Sequence, residues 1–255
     1  MTSLDGSHAL VTGGGTGIGA AIAVALDRAG AMVTLVGRRE GPLRIVAGAL
    51  ANSPFVVAAD VTDPIAVGLA FDAARAANGP ISILVNNAGA AATAPFSKLD
   101  FDTWRRVMSV NLDALHHTCQ AALPDLRAAA HGRIVNVAST AGLKGYAYTA
   151  AYSAAKHGAV GLTRALAMEF ALTNLTVNAV CPSFCDTDLV AEAIATIVQR
   201  TGRAADVARE DMTRFNPQRR LIDPVEVASA VHWICRPENR SINGLALAIS
   251  GGEVG

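Results

Sequence analysis

The sequence has little charge and no excess of either sign. Charged residues make up 16% of its 255 residues, against about 25% in an average soluble domain. The 21 Lys and Arg residues balance 21 Asp and Glu residues, so the formal net charge is zero. Proteins that bind nucleic acid or anionic membrane surfaces usually carry a basic patch or a basic overall balance. The composition therefore predicts neither a nucleic-acid partner nor a membrane partner.

The sequence also has few cysteines and no long apolar run. No Cys-x-x-Cys pair occurs and no cluster of histidines completes a zinc pattern, so no metal site is predicted. No apolar run approaches the roughly 20 residues of a membrane helix, and residues 1–5 lack the layout of a signal peptide. A cytoplasmic protein with buried, reduced thiols is expected. The cysteines are Cys119, Cys181, Cys185 and Cys235.

Apolar residues are abundant. They make up 51% of the chain, enough for a substantial core, and α/β domains often reach this length as one unit. We therefore expect a single domain over residues 1–255. Because the surface is poor in charge, we expect part of it to be covered by further copies of the chain.

Short apolar runs alternate along the chain with longer stretches of helical periodicity. The runs are nearly continuous in apolar residues, as expected of strands covered on both faces. Such alternation implies right-handed crossovers and a parallel sheet with helices on both sides. The sequence thus predicts an α/β fold with a doubly wound, Rossmann-like sheet of seven parallel strands, whose ligands bind beyond the carboxyl ends of the strands. The runs lie at 9–11, 33–36, 55–58, 81–85, 134–137, 176–180 and 245–249.

A glycine-rich stretch at 12–19 directly follows the first predicted strand and opens the first predicted helix. Glycines there let the backbone approach a pyrophosphate closely, and the helix N-terminus supplies free N–H groups. Such glycines can also serve a tight turn alone. Their place in the first strand–turn–helix unit favours a dinucleotide site.

The residues after the second predicted strand indicate which dinucleotide binds. A carboxylate at this place would bind the ribose 2′-hydroxyl of NAD, and an arginine would accept the 2′-phosphate of NADP. Arg38 comes first here, followed by Arg39, and Gly37 leaves room for a phosphate. NADP is therefore favoured, while Glu40 keeps NAD open. A solvated turn without function is the alternative.

Four further residues carry candidate chemistry. Tyr152 and Lys156 are four residues apart at the head of a helical stretch, so both side chains share one face. An ammonium beside a phenol is expected to lower the phenol pKa from about 10. Ser139, after the fifth strand, could bind a carbonyl oxygen, and Asn111, inside a helical stretch, could hold a water or a broken helical bond. The alternative for Tyr152 and Lys156 is a surface pair without function. For Ser139 it is a turn cap, and for Asn111 a tolerated polar residue.

Taken in order, these features resemble the short-chain dehydrogenase/reductase family over nearly the whole chain. Each motif is short, but their order and approximate spacing follow the family pattern. The motifs are the glycine turn at 12–19, Asp60-Val61, Asn86-Asn87-Ala88-Gly89, Asn111, Ser139, the Tyr152/Lys156 pair, Pro182 with Thr187, and Gly251-Gly252.

The resemblance implies a nicotinamide-dependent oxidoreductase in which Tyr152 protonates a carbonyl oxygen or takes a hydroxyl proton. Lys156 would bind the nicotinamide ribose and lower the tyrosine pKa. Ser139 would hold the substrate oxygen, and Asn111 would anchor a water that links Lys156 to solvent. The cofactor itself supplies the hydride chemistry.

The resemblance also implies a set of cofactor contacts, spread over the ends of several strands. In addition to Tyr152 and Lys156 they are Gly13, Thr16, Gly17, Ile18 and Gly19 at the pyrophosphate, Arg38 and Arg39 at the ribose phosphate, Asp60 and Val61 at the adenine, Asn87, Ala88 and Gly89 at the adenosine side, and Thr187, with Pro182 before it, at the carboxamide end.

Two positions depart from the family pattern. Thr16 stands where relatives that prefer NADP often carry a basic residue, so the NADP prediction depends on Arg38 and Arg39. Ser183 stands where many relatives have glycine. A local change near the nicotinamide is expected there.

The stretch 188–223 is long for a connection and helical in composition, and the resemblance implies that it forms a lid over the substrate. Its charges fit either a mixed, solvated lid or a basic rim for the phosphates of an acyl-thioester carrier. Lys144 is a further candidate at the mouth of the pocket. The lid arginines are Arg200, Arg203, Arg209, Arg214, Arg219 and Arg220.

Three functions remain open. The first is an NADP-dependent reductase of a ketone, with 3-oxoacyl thioesters as the leading substrate class. The second is an NAD-dependent dehydrogenase of a secondary alcohol or a 3-hydroxyacyl-CoA. The third, a non-catalytic dinucleotide-sensing regulator, would be expected to lack the tyrosine or the lysine.

Family members usually pair through two long helices, which correspond here to 104–129 and 152–172. Alanines in both stretches permit close helix approach. A homotetramer, or a dimer at least, is therefore expected.

Overall fold

Seven strands form one parallel sheet in the computed structural model, which describes residues 4–254 apart from the side chains at 189, 196, 197 and 200. The strands are β1 (His8–Thr12), β2 (Met32–Gly37), β3 (Phe55–Ala58), β4 (Ile83–Asn86), β5 (Gly132–Val137), β6 (Leu175–Pro182) and β7 (Ala246–Ile249). Their order across the sheet is β3-β2-β1-β4-β5-β6-β7. Each predicted run overlaps one strand, so the predicted doubly wound fold is confirmed.

Helices connect the strands. Several begin at local signals: the Asp63 carboxylate accepts the N–H groups of Ile65 and Ala66, and Asp223 forms a capping box with Glu226. No helix in the described part of the chain is long and apolar enough to span a bilayer. The helices are α1 (Gly17–Arg28), α2 (Glu40–Ala47), α3 (Pro64–Asn78), α4 (Phe101–Met108), α5 (Ala114–Ala128), α6 (Ala150–Glu169), α7 (Asp188–Thr201), α8 (Ala205–Thr213) and α9 (Pro224–Cys235).

The core has two main layers, one on each face of the sheet. On one face, Leu26 of α1 and Val231 of α9 pack with side chains of β1 and β2. On the other, Phe71 of α3 and Leu126 of α5 pack against the opposite side chains of the central strands. Burial on both faces explains why the strands are continuous apolar runs rather than alternating ones.

One predicted helix is interrupted. The stretch expected to be helical from 104 to 129 consists of α4, a π-helical turn at Ser109–Asp113, and α5. Asn111 lies in this turn with a fully buried side chain. Its Nδ2 donates to the backbone oxygens of Val107, at 2.9 Å, and of Ala90, at 2.8 Å. The side chain thus takes a carbonyl of the preceding turn, as expected where a π-bulge replaces regular α-helix.

A buried polar network joins the two central strands to the long helices beside them. Asn86 Nδ2 donates to Asn136 Oδ1 at 2.9 Å, which links β4 to β5. The Thr118 hydroxyl donates to Asn86 Oδ1 at 2.7 Å, and Asn136 Nδ2 donates to the Thr163 hydroxyl at 2.9 Å. All four side chains are buried. Asn86 is the last residue of β4, and the candidate site residues 87–89 follow it directly. The network therefore holds the strand end that positions these residues.

We predict that Asn136→Ala lowers the free energy of unfolding by roughly 2–4 kcal/mol, because it leaves the buried Asn86 amide without its side-chain oxygen partner and opens a small cavity. Urea unfolding followed by circular dichroism measures this change. The control is Asn174→Ala at an exposed turn position, which should leave the midpoint unchanged. Equal midpoints for both variants would contradict a stabilising network.

Candidate active site

The carboxyl ends of β1 and β4 meet at the point where the strand order reverses. β1 pairs with β2 on one side and with β4 on the other, all in parallel. The connections that follow β1 and β4 therefore run towards opposite edges of the sheet, and they leave a crevice beyond the carboxyl ends of these two strands. The glycine-rich turn follows β1 and the stretch 87–89 follows β4, so both predicted motifs lie at this crevice.

Hydrogen bonds between Thr12 and Asn87 join the two strand ends. The Thr12 hydroxyl accepts the N–H groups of Asn87, at 3.0 Å, and of Ala88, at 3.1 Å. In return, Asn87 Nδ2 donates to the backbone oxygens of Thr12 and Gly13, both at 3.1 Å. Thr12 was not among the predicted site residues. Its place at the end of the first strand was the available signal.

The first turn of α1 packs tightly on the glycine turn. A Cβ added to Gly19 would lie 2.2 Å from the Gly13 carbonyl oxygen and 2.5 Å from Asn87 Nδ2, so only glycine fits. Thr16 precedes the helix in extended backbone and makes no side-chain capping bond, and Ile18 follows in the first turn. The first N–H groups of α1 thus remain uncapped, an arrangement that fits a pyrophosphate.

The end of β6 contributes to the same crevice. Pro182 is the last residue of the strand and is buried, and Thr187 immediately precedes α7. The Thr187 methyl group lies over Gly17, where an added Cβ would approach it to 3.0 Å. The two motifs, 170 residues apart in the chain, are therefore adjacent in the fold.

Two arginines lie at the end of β2. Arg38 directly follows the strand, Arg39 immediately precedes α2, and both are exposed. Within the described residues no carboxylate forms an ion pair with either of them. Glu40 instead accepts hydrogen bonds from Arg44 one turn along α2. Glu40, the carboxylate that follows the two arginines in sequence, is thus paired with Arg44 on α2. The guanidinium groups of Arg38 and Arg39 remain available for an anion.

Asp60 lies beyond the end of the neighbouring strand β3. Its carboxylate accepts the N–H of Thr62 at 3.0 Å and the Thr62 hydroxyl at 2.8 Å. These bonds, led by the backbone one, and the positive charge of Arg38 lower the pKa of Asp60 despite its partial burial. Val61, next to it, is buried. Asp60 is therefore an ionised acceptor close to Arg38.

Ser139, Tyr152 and Lys156 meet at the carboxyl end of β5. Ser139 follows the strand and caps a 3₁₀ turn, where its hydroxyl accepts the N–H of Ala141 at 3.1 Å. Tyr152 lies half-buried in the first turn of α6. Lys156, one turn later, is 4% exposed, and its Nζ donates to the Val137 oxygen at 2.9 Å. Capping and substrate binding are thus both open to Ser139, whereas an exposed surface pair is excluded for Lys156.

The expected lowering of the Tyr152 pKa is wrong. Burial raises the pKa of Tyr152 to about 12, and the hydrogen bond with Ser139 only partly offsets this. Lys156 Nζ lies over the phenol ring, 5.6 Å from its centroid, and burial lowers the pKa of Lys156 to about 8. Loss of water disfavours both the phenolate and the ammonium, an effect that the four-residue spacing does not reveal.

Asn111 Oδ1 is buried and has no hydrogen-bond partner among the described residues. A Cβ added to Gly89 would lie 2.9 Å from this oxygen and 3.7 Å from Lys156 Nζ, so Gly89 marks a gap shared by the two groups. An unsatisfied buried carbonyl beside an ammonium is a site that suits an ordered water.

The segment predicted to form a lid consists of α7 and α8, and its end pairs with the chain that follows β6 through a bridge between Cys185 and Ile222. Most of its arginines face carboxylates. Exposed pairs of this kind contribute little to stability, but they neutralise the charge of the lid. Arg200 has a side chain outside the described residues. The pairs are Arg203–Asp211 at 2.6 Å, Arg209–Asp186 at 3.2 Å, Arg214–Asp211 at 3.7 Å and Arg220–Glu226 at 2.6 Å.

Comparisons with known proteins place this geometry in context. The family model described as short chain dehydrogenase matches residues 7–197. The cis-4-hydroxycyclohexanecarboxylate dehydrogenase of Sinomonas cyclohexanicum is 40% identical over 248 residues, which cover 96% of this chain and 95% of that protein. The 3-oxoacyl-(acyl-carrier-protein) reductase FabG of Vibrio cholerae is 35% identical over 250 residues, 98% of each chain.

A solved structure has the same fold at close to full length. A variant of actinorhodin polyketide ketoreductase, determined with NADPH, superposes with a TM-score of 0.93 at 33% identity. The match covers 99% of each chain. The similarity therefore extends over the lid as well as the sheet.

We predict that Gly19→Ala lowers the free energy of unfolding by about 1–3 kcal/mol and weakens dinucleotide binding at least about tenfold, because the methyl group displaces the Gly13 carbonyl. Urea unfolding and titration of reduced dinucleotide fluorescence measure the two effects. Gly68→Ala is the control, since an added Cβ on this α3 residue meets nothing within 4 Å. Unchanged dinucleotide affinity in Gly19→Ala would contradict the assigned pyrophosphate site.

Proposed function

The chain belongs to the short-chain dehydrogenase/reductase family and is an oxidoreductase, and from this premise we propose that it transfers a hydride between NADP(H) and a ketone or secondary alcohol. One observation carries the proposal. The Ser139 hydroxyl, the Tyr152 phenol and the Lys156 ammonium converge at the carboxyl edge of the sheet, on the same edge as the uncapped N-terminus of α1.

The dinucleotide would lie across the strand ends. When bound, its nicotinamide supplies or accepts the hydride. The uncapped N–H groups of α1 would hold the pyrophosphate, and Asp60 with Val61 would contact the adenine. Thr187, which lies over Gly17, would contact the carboxamide end. Arg38 and Arg39 would bind the 2′-phosphate, an assignment that the pairing of Glu40 with Arg44 supports.

Tyr152 would be the acid–base group. Its raised pKa keeps the phenol protonated at neutral pH, which is the form that can protonate a carbonyl oxygen during reduction. The Ser139 hydroxyl, whose interaction with the phenol partly offsets the rise in the Tyr152 pKa, would hold the same substrate oxygen. In the oxidation direction the phenolate would take the hydroxyl proton.

Lys156 and Asn111 would return a proton to Tyr152. The Lys156 ammonium would stabilise the phenolate that proton donation leaves, because the two groups are close and the ammonium is buried. Its pKa of about 8 allows it to exchange protons near neutral pH. The unpaired Oδ1 of Asn111 would hold a water that connects the ammonium to solvent.

The substrate class proposed first is a 3-oxoacyl thioester or a similar carbonyl compound, as the FabG relative supports. A small cyclic hydroxy acid is the second candidate, supported by the hydroxycyclohexanecarboxylate dehydrogenase relative and by the pairing of lid arginines with carboxylates, which disfavours a rim of free cations. Reduced-cofactor absorbance with 3-oxoacyl thioesters, simple ketones and 4-oxocyclohexanecarboxylate distinguishes them. A regulator without turnover would oxidise no cofactor with any of these.

Self-association through α5 and α6 is proposed with this function. Met168, in the last turn of α6, and Leu172, three residues beyond the helix, are large apolar residues that the single chain leaves exposed. Burial of such residues against another copy would remove apolar surface from water. Sedimentation of the purified protein measures the mass, and a homotetramer is expected.

We predict that Tyr152→Phe lowers kcat by roughly 10²–10⁴-fold, because it removes the proton donor and nothing else. The dissociation constant for NADPH should stay unchanged. Tyr148→Phe, at an exposed tyrosine on the loop before α6, is the matched control and should keep full activity. Retention of most activity in Tyr152→Phe would remove the phenol from the mechanism.

We predict that Arg38→Ala weakens NADPH binding about 10–100-fold while changing NADH binding less than about threefold, because only NADPH carries the phosphate that the guanidinium binds. Fluorescence titration with both cofactors measures the two affinities. Arg28→Ala, at an exposed site on the far end of α1, should change neither. A wild-type protein that binds NADH more tightly than NADPH would overturn the assignment.

A further inference from the structure

A buried carboxylate lies next to the substrate side of the site and has no role in the proposed proton transfer. Glu253 follows the turn at Gly251 and Gly252, and its side chain is 1% exposed. Its backbone N–H donates to Ser250, at the end of the last strand. The side chain thus turns back into the protein, although ionised carboxylates are seldom buried without partners.

Three side chains from two active-site loops donate to Glu253. Tyr146 donates its phenol proton to Oε1 at 2.5 Å, and Lys144 Nζ lies 3.0 Å from the same oxygen. The Ser183 hydroxyl donates to Oε2. Lys144 and Tyr146 lie on the loop between Ser139 and α6, and Ser183 directly follows β6. Burial alone would raise the pKa of Glu253, but these bonds outweigh it and lower the pKa, so the carboxylate is ionised.

The same cluster holds the end of the lid. The Phe215 ring meets the Tyr146 ring edge to face, with centroids 5.7 Å apart. Lys144 Nζ lies 5.0 Å from the Tyr146 centroid and 5.8 Å from that of Phe215. An ammonium between two ring faces attracts both. Glu253 therefore reaches the lid through two of the three residues that it binds, Lys144 and Tyr146.

A second contact joins the C-terminal turn to the lid. The buried Asn216 side chain packs on Gly251 so closely that an added Cβ would lie 2.0 Å from its Oδ1. Asn216 itself holds the end of the lid, because it donates to the Arg220 oxygen and accepts the N–H of Gln218. Residues 251–253 thus contact the lid at two adjacent points.

We propose that Glu253 is a positioning residue that fastens the β5–α6 loop, the β6–α7 loop and the end of the lid around the substrate pocket. The inference rests on the proposed function, because it assigns a role in binding the carbonyl substrate. It also accounts for two features of the sequence: Ser183, which stands where many family members have glycine, supplies one of the three donors, and Lys144 is held at the pocket by the carboxylate.

Two substitutions at Glu253 distinguish the effect of its charge from the effect of its side-chain length. Glu253→Gln keeps the length of the side chain but places an amide NH₂ against one of the donors, so the clamp loses a bond and its charge. Glu253→Asp keeps the charge but is one methylene shorter. The carboxylate touches neither the glycine turn nor Arg38, so the proposed contacts with the pyrophosphate and the 2′-phosphate, which supply most of the cofactor affinity, should not depend on it.

The test is steady-state kinetics combined with hydrogen exchange. Glu253→Gln is expected to raise KM for the best carbonyl substrate about tenfold with kcat changed less than about threefold, and to leave the NADPH dissociation constant within about threefold of wild type. Amide exchange at 140–146 and 210–221 should be at least about tenfold faster, as in a loosened segment. In Glu253→Asp, which keeps the charge, KM should lie between the value for Glu253→Gln and the wild-type value.

Asp72→Asn, at an exposed position of α3, is the control and should match wild type in every measurement. Ser183→Ala removes one donor only, and it serves as the second variant if Glu253→Gln does not fold; a smaller change of the same kind is expected. Wild-type exchange and KM in either folded variant would overturn the proposal, as would a fall in kcat equal to that in kcat/KM. If wild type reduces no carbonyl compound, the proposed function fails, and exchange alone then decides the clamp.

Discussion

The hydrogen bonds between Thr12 and Asn87 are the contact on which the rest of the site depends. They join the ends of β1 and β4, where the strand order reverses, and they fix the Gly13 carbonyl against which the first turn of α1 packs. The position of that turn sets where an anionic ligand meets the helix N-terminus. Asn87 is also two residues from Gly89, which marks the gap between Asn111 and Lys156. One polar contact thus relates the glycine turn, where we propose that the cofactor binds, to the gap where we propose that protons move.

The sheet could be predicted because strands covered on both faces must be apolar throughout, and each of the seven runs is a strand. The location of the candidate residues followed from the same argument, since Arg38, Asp60, Ser139 and Thr187 all lie within five residues of the carboxyl end of a strand. The motifs then indicated the family, which the comparisons confirm. The roles of the individual residues remain predictions.

Other features depend on contacts that the sequence does not display. Thr12 binds a residue 75 positions away, and Tyr146 binds Glu253 across 107 positions, so neither pair has a local signature. The predicted lowering of the Tyr152 pKa is wrong for a related reason. Spacing places Lys156 on the same helix face, but the extent of burial, which determines the direction of the shift, is set by the packing of α6 against the sheet.

The π-helical turn at Ser109–Asp113 has a consequence for how this chain can vary. Such a turn contains one residue more than an α-helical turn, so the faces of α4 and α5 are offset by about 100° about the common axis. Deleting a single residue there would restore regular winding, but it would swing α4 away from α6 and carry Asn111 off the crevice. The segment should therefore tolerate point substitution better than the loss of a residue.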